Sequence, residues 1–236
     1  MRIRLLVFCY LVFVGHGLHA QSAESIWLDF SVHANVNDRL QLYGDLGYRR
    51  LLAAESETRW NIRPSVLYRL NDKWFLRGGV GLFYEFRDAF TNRFELRPYQ
   101  GVQYNIDPTD NLLLNILGRV EERISFDDLL DDRARFELRF RLRLSGQYEV
   151  LNPIGDSYWF FPFSFELFRS VEDRLTELTR DRARMYIGIG YNVDEIWRVT
   201  FLANFDIDGK ALDPNASINN FLFQLKVRRE IPWRVK

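Results

Sequence analysis

The stretch Arg133–Tyr148, RARFELRFRLRLSGQY, decides the fold. Arg133, Arg135, Glu137, Arg139, Arg141 and Arg143 take one parity, and Ala134, Phe136, Leu138, Phe140, Leu142 and Leu144 take the other. A strand sends successive side chains to opposite faces, so this alternation predicts a β-strand with one ionic and one apolar face. Strands of soluble proteins run about 5 or 6 residues, whereas an outer-membrane strand needs about 9 to 11 to cross the bilayer. The length therefore points to a transmembrane β-barrel. With this strand the other way out, its five arginines would face lipid at about 2 to 4 kcal/mol each near the midplane. In a membrane, the arginines line the lumen.

The same pattern extends in both directions. Candidate strands fall at Trp27–Val36, Leu40–Tyr48, Trp60–Leu70, Trp74–Phe86, Phe94–Tyr104 and Leu112–Arg123 before the organising strand, and at Tyr158–Arg169, Ala183–Val193, Trp197–Ile207 and Phe221–Ile231 after it. Tight turns such as Asn37-Asp38, Asn71-Asp72 and Asp107-Pro108-Thr109-Asp110 alternate with longer polar loops such as Arg50–Thr58, Asp127–Asp132 and Val171–Asp181. Outer-membrane barrels have this alternation of short periplasmic turns and long extracellular loops. Trp27, Trp60, Trp74, Tyr104, Trp159, Trp197 and Trp233 stand at strand ends, where interfacial aromatic girdles are expected. Eleven runs are visible, but single-chain bacterial barrels usually have an even number. The expectation is thus an all-β, antiparallel barrel of 10 to 12 strands, with twelve preferred. A soluble periplasmic sandwich or lipocalin-like barrel would carry the same periodicity with the faces exchanged, and strand length, aromatic ends and turn alternation favour the membrane.

Arg2 and Arg4, the apolar run Leu5–Val14 and the small residue Ala20 have the order of a secretory signal peptide. The expected division is residues 1–20 as signal peptide and 21–236 as the barrel domain. The one cysteine, Cys9, lies inside that signal, so no disulfide or thiolate metal site is expected in the mature chain. Without Arg2 and Arg4 the chain has 30 basic against 32 acidic residues, which gives no reason to expect nucleic-acid binding.

Glu95-Leu96-Arg97-Pro98, Arg119-Val120-Glu121-Glu122-Arg123, Arg135–Leu144, Phe165-Glu166-Leu167-Phe168 and Arg184–Tyr191 follow one another in an order that resembles domain-of-unknown-function family 2490, small barrel proteins of the bacterial outer membrane. The resemblance runs from about Trp27 to the end. It implies fold and location, and no activity.

Three successive strands carry an Arg-x-Glu-x-Arg triplet: Arg93, Glu95 and Arg97, then Arg119, Glu121 and Arg123, then Arg135, Glu137 and Arg139. Period-2 spacing puts each triplet on one face, and antiparallel neighbours bring such faces within about 5 Å. A lumenal ladder of paired charges is expected, extended by Glu85, Arg87, Arg141, Arg143 and Glu166. It either fills a narrow lumen and satisfies itself, or leaves surplus arginine to draw in small anions. The leading expectation is a non-enzymatic structural or narrow-pore protein of the bacterial outer membrane, without cofactor or metal. Its expected partners are outer-membrane lipids and, during insertion, the barrel-assembly machinery.

Two alternatives remain. His33 is the only histidine outside the expected signal, and a lipid-acting enzyme would use it. Ser31 shares its face, but residues two apart on a strand lie about 6 to 7 Å apart, too far for a nucleophile and its base. The long loops would instead serve an adhesion or interaction barrel. Asp127, Asp128, Asp131 and Asp132 could attract calcium, although solvated loop is the simpler reading.

Overall fold

The computed structural model describes residues 23–52, 57–87, 91–127, 134–150, 157–172, 182–208 and 217–231. The expected signal peptide, Asp128, Asp131, Asp132, Arg133 and Trp233 lie outside the described residues. Twelve strands are present: β1 (Ala23–Asn35), β2 (Leu40–Leu51), β3 (Glu57–Ile62), β4 (Ser65–Arg69), β5 (Trp74–Arg87), β6 (Arg93–Thr109), β7 (Leu112–Phe126), β8 (Arg135–Val150), β9 (Tyr158–Glu172), β10 (Arg182–Asn192), β11 (Trp197–Asp208) and β12 (Ser217–Ile231). Each of the eleven sequence runs corresponds to one strand or, at residues 60–70, to β3 and β4 together.

The twelve strands close into a barrel with eleven positions around it. β3 and β4 share one position, because both pair with β2 and with β5. They also keep one register: Ile62 faces Leu46 and Ser65 faces Tyr43, three residues on along each strand. The break falls at Arg63-Pro64, where the proline has no N–H to give the ladder. Eleven hairpin-linked positions leave the first and last strands running the same way, so β1 and β12 close the ring in parallel while every other pair is antiparallel. The expectation of a purely antiparallel, even-numbered barrel is corrected here. The eleven runs stand, and the parallel seam accommodates the odd number.

A walk along paired residues from Glu149 on β8 passes Phe160, Gly190, Thr200 and Lys226, crosses the seam to Asp29, and continues through Gly47, Asn61, Phe83, Glu95 and Ser125. It re-enters β8 at Arg135, fourteen residues from where it left. Such a stagger requires strongly tilted strands, and it brings distant parts of the sequence to one level of the lumen.

The short turns are closed by one repeated device. Asn37 Oδ1 accepts from the backbone N–H groups of Arg39 and Leu40, Asn71 Oδ1 from those of Lys73 and Trp74, and Asp194 Oδ1 from those of Ile196 and Trp197, all at 2.6 to 3.0 Å. An Asn or Asp side chain here does the work of a backbone turn bond.

The faces are inverted relative to a water-soluble protein. Among the described residues forty large apolar side chains lie exposed, among them Leu142, Ile187, Trp60, Trp74 and Trp159, whereas the buried residues include Glu85, Glu95, Glu121, Glu166, Asp29, Asn204 and a set of serines. Trp27 departs from the expected girdle. It shares parity with Asp29 and Ser31 and lines the interior, because a strand whose Leu28 and Phe30 face outward must turn Trp27 inward.

The interior divides along its length. The half nearer the short turns is filled: Phe160 and Leu117 are 2% and 1% exposed, and Gln103, Ser31, Ser145 and Thr200 are buried with them. The Phe160 ring lies over β10 where its inward residue is Gly190, and a Cβ there would overlap the ring. The other half holds a cavity of about 1340 Å³, lined from Leu51, Glu57 and Arg135 near the long loops down to Arg143, Leu202 and Lys226.

Candidate functional site

The cavity wall formed by β6 to β9 carries the arginine and glutamate ladder. Ladder register places Arg123 opposite Glu137, Glu121 opposite Arg139 and Arg143 opposite Glu166. Side-chain bonds then run diagonally as well as straight across. Glu95 accepts from Arg97 at 2.8 and 2.9 Å and from Arg123 at 2.5 and 2.9 Å. Arg123 also donates to Glu137 at 2.6 Å, and Glu137 takes Arg139 at 3.0 Å and the Ser170 hydroxyl. Glu121 holds Arg141 at 2.6 Å and Arg119 at 2.7 Å, with Arg97 3.9 Å away. Arg141 reaches on to both oxygens of Glu166 at 2.9 and 2.7 Å. Each guanidinium offers five N–H groups in a fixed fork, so one arginine can bridge two carboxylates. Such bridging joins the two halves of the ladder.

Not every expected member is inside this network. Arg93 donates to Ser125 at 3.0 Å. Arg135 pairs with Asp127 at the rim and is 69% exposed, while Arg87 lies 3.6 Å from the same aspartate. Glu85 is held by Arg59 at 2.6 Å. Arg143 has no hydrogen bond or ion pair among the described residues, because Arg141 already occupies the carboxylate of Glu166.

Several interior residues escaped the triplet pattern. Asp45 binds Arg63 at 2.6 Å, and Asp206 binds Arg184 at 2.5 and 2.9 Å. Their partners lie 18 and 22 residues away in sequence, so no short motif marks them. Phe83 and Phe168 also point inward, where Arg97 stacks on Phe83 at 4.0 Å and Arg141 on Phe168 at 4.6 Å. These two aromatics stand on the polar parity of their strands, which was the available signal. Burying a ring beneath a guanidinium fixes the fork while leaving its edge free for carboxylates.

Across the lumen, the wall at the parallel seam is sparser. Gln224 donates to Asp29 at 3.2 Å and Asn204 to Gln224 at 3.4 Å. Lys226 stands beside Asp29 in the seam register, yet has no carboxylate within 4.0 Å among the described residues. Thirteen basic and five acidic residues line the cavity. Counting the bound Asp45, Glu85, Glu95 and Glu121 behind them, positive charge is still in excess.

His33 lies inside the filled half. Its ring is 5.6 Å from that of Tyr43 and its Nδ1 is 4.0 Å from Glu230, whereas the Ser31 hydroxyl turns to the Val227 carbonyl at 3.5 Å. The structure does not bring serine and histidine together.

No curated protein matches the chain. Among solved structures it is similar to one titled "Bacterial polysaccharide outer membrane secretin", with a TM-score of 0.42, 9% identity, and coverage of 81% of this chain and 84% of that one. It is also similar to "Structure of the RagAB peptide importer in the 'closed-closed' state", with a TM-score of 0.35, 10% identity, and coverage of 73% and 30%. Residues 24–204 match the family model described as "Protein of unknown function (DUF2490)". With its ionic lumen and apolar exterior, the chain belongs to the DUF2490 family.

Proposed function

We propose that this protein is a non-enzymatic β-barrel of the bacterial outer membrane, whose lumen is a braced, cationic vestibule on the side of the long loops and filled toward the short turns. The observation that carries the reading is the inversion of faces: forty exposed large apolar side chains around a ring of ion pairs. Water would penalise that exterior, while lipid accepts a closed barrel because no strand edge is left unpaired. Helix-spanning is not in question, since no described helix is long and apolar enough to cross. Bacterial barrels of this kind sit in the outer membrane, with long loops outside.

Of the structural and narrow-pore roles, the filled half favours the structural one. Leu117, Phe160 and the buried serines occupy the path that ions would take. The ladder sets the field of the vestibule and stiffens its wall, and small anions are its expected occupants. A lipid-acting role for His33 is disfavoured by its inward position, out of reach of acyl chains.

The test is membrane fractionation followed by planar-bilayer recording of the purified full chain. The reading expects a heat-modifiable outer-membrane band and no stepwise conductance. Recovery in the soluble periplasm overturns the location, and discrete ion-selective steps overturn the filled lumen.

A further inference from the structure

At the foot of the vestibule, a row of paired residues crosses four strands as Arg77, Gly101, Arg119 and Arg141, three arginines and a glycine with no acid among them. Arg143 is the next inward residue on β8. Arg141 is committed to Glu121 and Glu166. Of the remaining three, only Arg119 has a carboxylate partner among the described residues. Arg143 has lost its register partner to Arg141. Arg77 lies within hydrogen-bonding reach of the Tyr43 hydroxyl and against its ring at 5.7 Å, with no carboxylate partner among the described residues. Arg119 reaches Glu121 through Nη2 and rests on the Tyr99 ring at 5.0 Å, with Tyr99 itself tied to Ser65. In all three the Nε–H is buried without a hydrogen-bond partner among the described residues. Arg143 lies within electrostatic reach of both Arg77 and Arg119, with Arg228 adding charge to Arg77 from the seam wall.

Buried like charges with free donors are costly unless something accepts from them. Gly101 puts no side chain between Arg77 and Arg119, whose backbones are two strand spacings, about 10 Å, apart. A carboxylate is a poor fit, since its two oxygens are used up by one or two arginines, as Glu166 and Glu95 are here. A tetrahedral dianion offers more oxygens in more directions, and the guanidinium fork matches it. We propose that Arg77, Arg119 and Arg143 form a binding site for a phosphate group at the foot of the lumen.

This site deepens the vestibule reading and rests on it, since Arg119 and Arg143 line the cavity and the ligand must enter from the loop end. The phosphate group could be inorganic phosphate, a soluble phosphomonoester or a lipid headgroup.

The experiment is calorimetric titration of the full-length folded protein, in a phosphate-free maltoside detergent at low salt, with inorganic phosphate, glycerol 3-phosphate, short-chain phosphatidic acid and acetate. Phosphate is expected to bind at one site per chain, at least tenfold more tightly than acetate. Arg143→Gln and Arg77→Gln should each weaken it at least tenfold, and Arg143→Lys, which keeps the charge without the fork, by less. Arg69→Gln, at an exposed ion pair with Asp72, should leave it unchanged. Arg143→Gln removes an unpaired cation and is expected to fold. Its thermal midpoint should no longer rise with added phosphate, whereas that of the wild type should. Binding of phosphatidic acid lost in the same variants identifies a headgroup as the source, and binding of the soluble phosphates alone identifies a small solute. No phosphate binding to a heat-modifiable barrel, acetate binding as tight as phosphate, or equal loss in Arg69→Gln overturns the site while leaving the vestibule reading in place. That reading fails separately, by fractionation or conductance.

Discussion

The two walls of the lumen face each other across the same cavity but are held by different means. Along β6 to β9, each of Glu95, Glu121, Glu137 and Glu166 accepts from two groups or from both ends of one fork. Along the β12 to β1 seam, amides replace most of the ion pairs, and Lys226 has Asp29 and Asp45 as loose neighbours. The strands explain the contrast. Antiparallel pairs set residues directly opposite one another, so cross-strand and diagonal contacts recur every second residue, whereas the slanted bonds of a parallel pair are slightly less stable per residue. The ladder is built where the geometry repeats, whereas at the seam Gln224, itself held by Asn204, donates to one oxygen of a single aspartate.

If the ladder wall carries more of the stability than the seam, then breaking it should cost most. Glu121→Ala leaves Arg119 and Arg141 without a shared acceptor in a site where Glu121 is 2% exposed, and a loss of about 3 to 5 kcal/mol is expected. Urea titration in detergent, read by the electrophoretic shift between folded and unfolded bands, measures it. A loss below about 1 kcal/mol would mean that water in the vestibule replaces the pair.

Removal of the plug comes next. Leu117→Ala should cost about 2 to 5 kcal/mol, scaled by the cavity it leaves, and should introduce conductance steps that the wild type lacks. A silent variant of normal fold would show that Phe160 alone seals the lumen.

Replacing Gln224 by Leu at the seam deletes the donor to Asp29 and is expected to cost about 1.5 to 3 kcal/mol, less than the ladder variant by the same urea assay. An equal or larger loss would reverse the ranking of the walls. Asn71→Ala removes an acceptor from the turn before β5, at an exposed site, and should cost about 1 kcal/mol. Arg135→Ala, at the exposed rim, should change stability by less than about 1 kcal/mol.

Phe83, Phe160 and Phe168 show where sequence reading stops. Each stands on the polar parity of its strand, and alternation alone makes them exceptions without saying why. In the barrel, Phe160 covers Gly190 and supports Arg198 at 4.6 Å, and the other two lie beneath ladder arginines. The triplets were legible because their spacing of two is a property of a single strand. The identity of their partners was not: Glu121 faces Arg139 in register but bonds Arg141, a choice made by strand tilt.

By itself the sequence determined the strands, their inward and outward faces and the order of short and long connections, since a period of two and the side chains of Asn37, Asn71 and Asp194 act over a few residues. It also marked the charged face as one that must be enclosed. The tertiary structure decided the closure of eleven positions by a parallel seam, the filling of one half of the lumen, and the stranding of Arg143 beside a glutamate already taken. These depend on the fourteen-residue stagger around the ring, which no local stretch of the chain encodes.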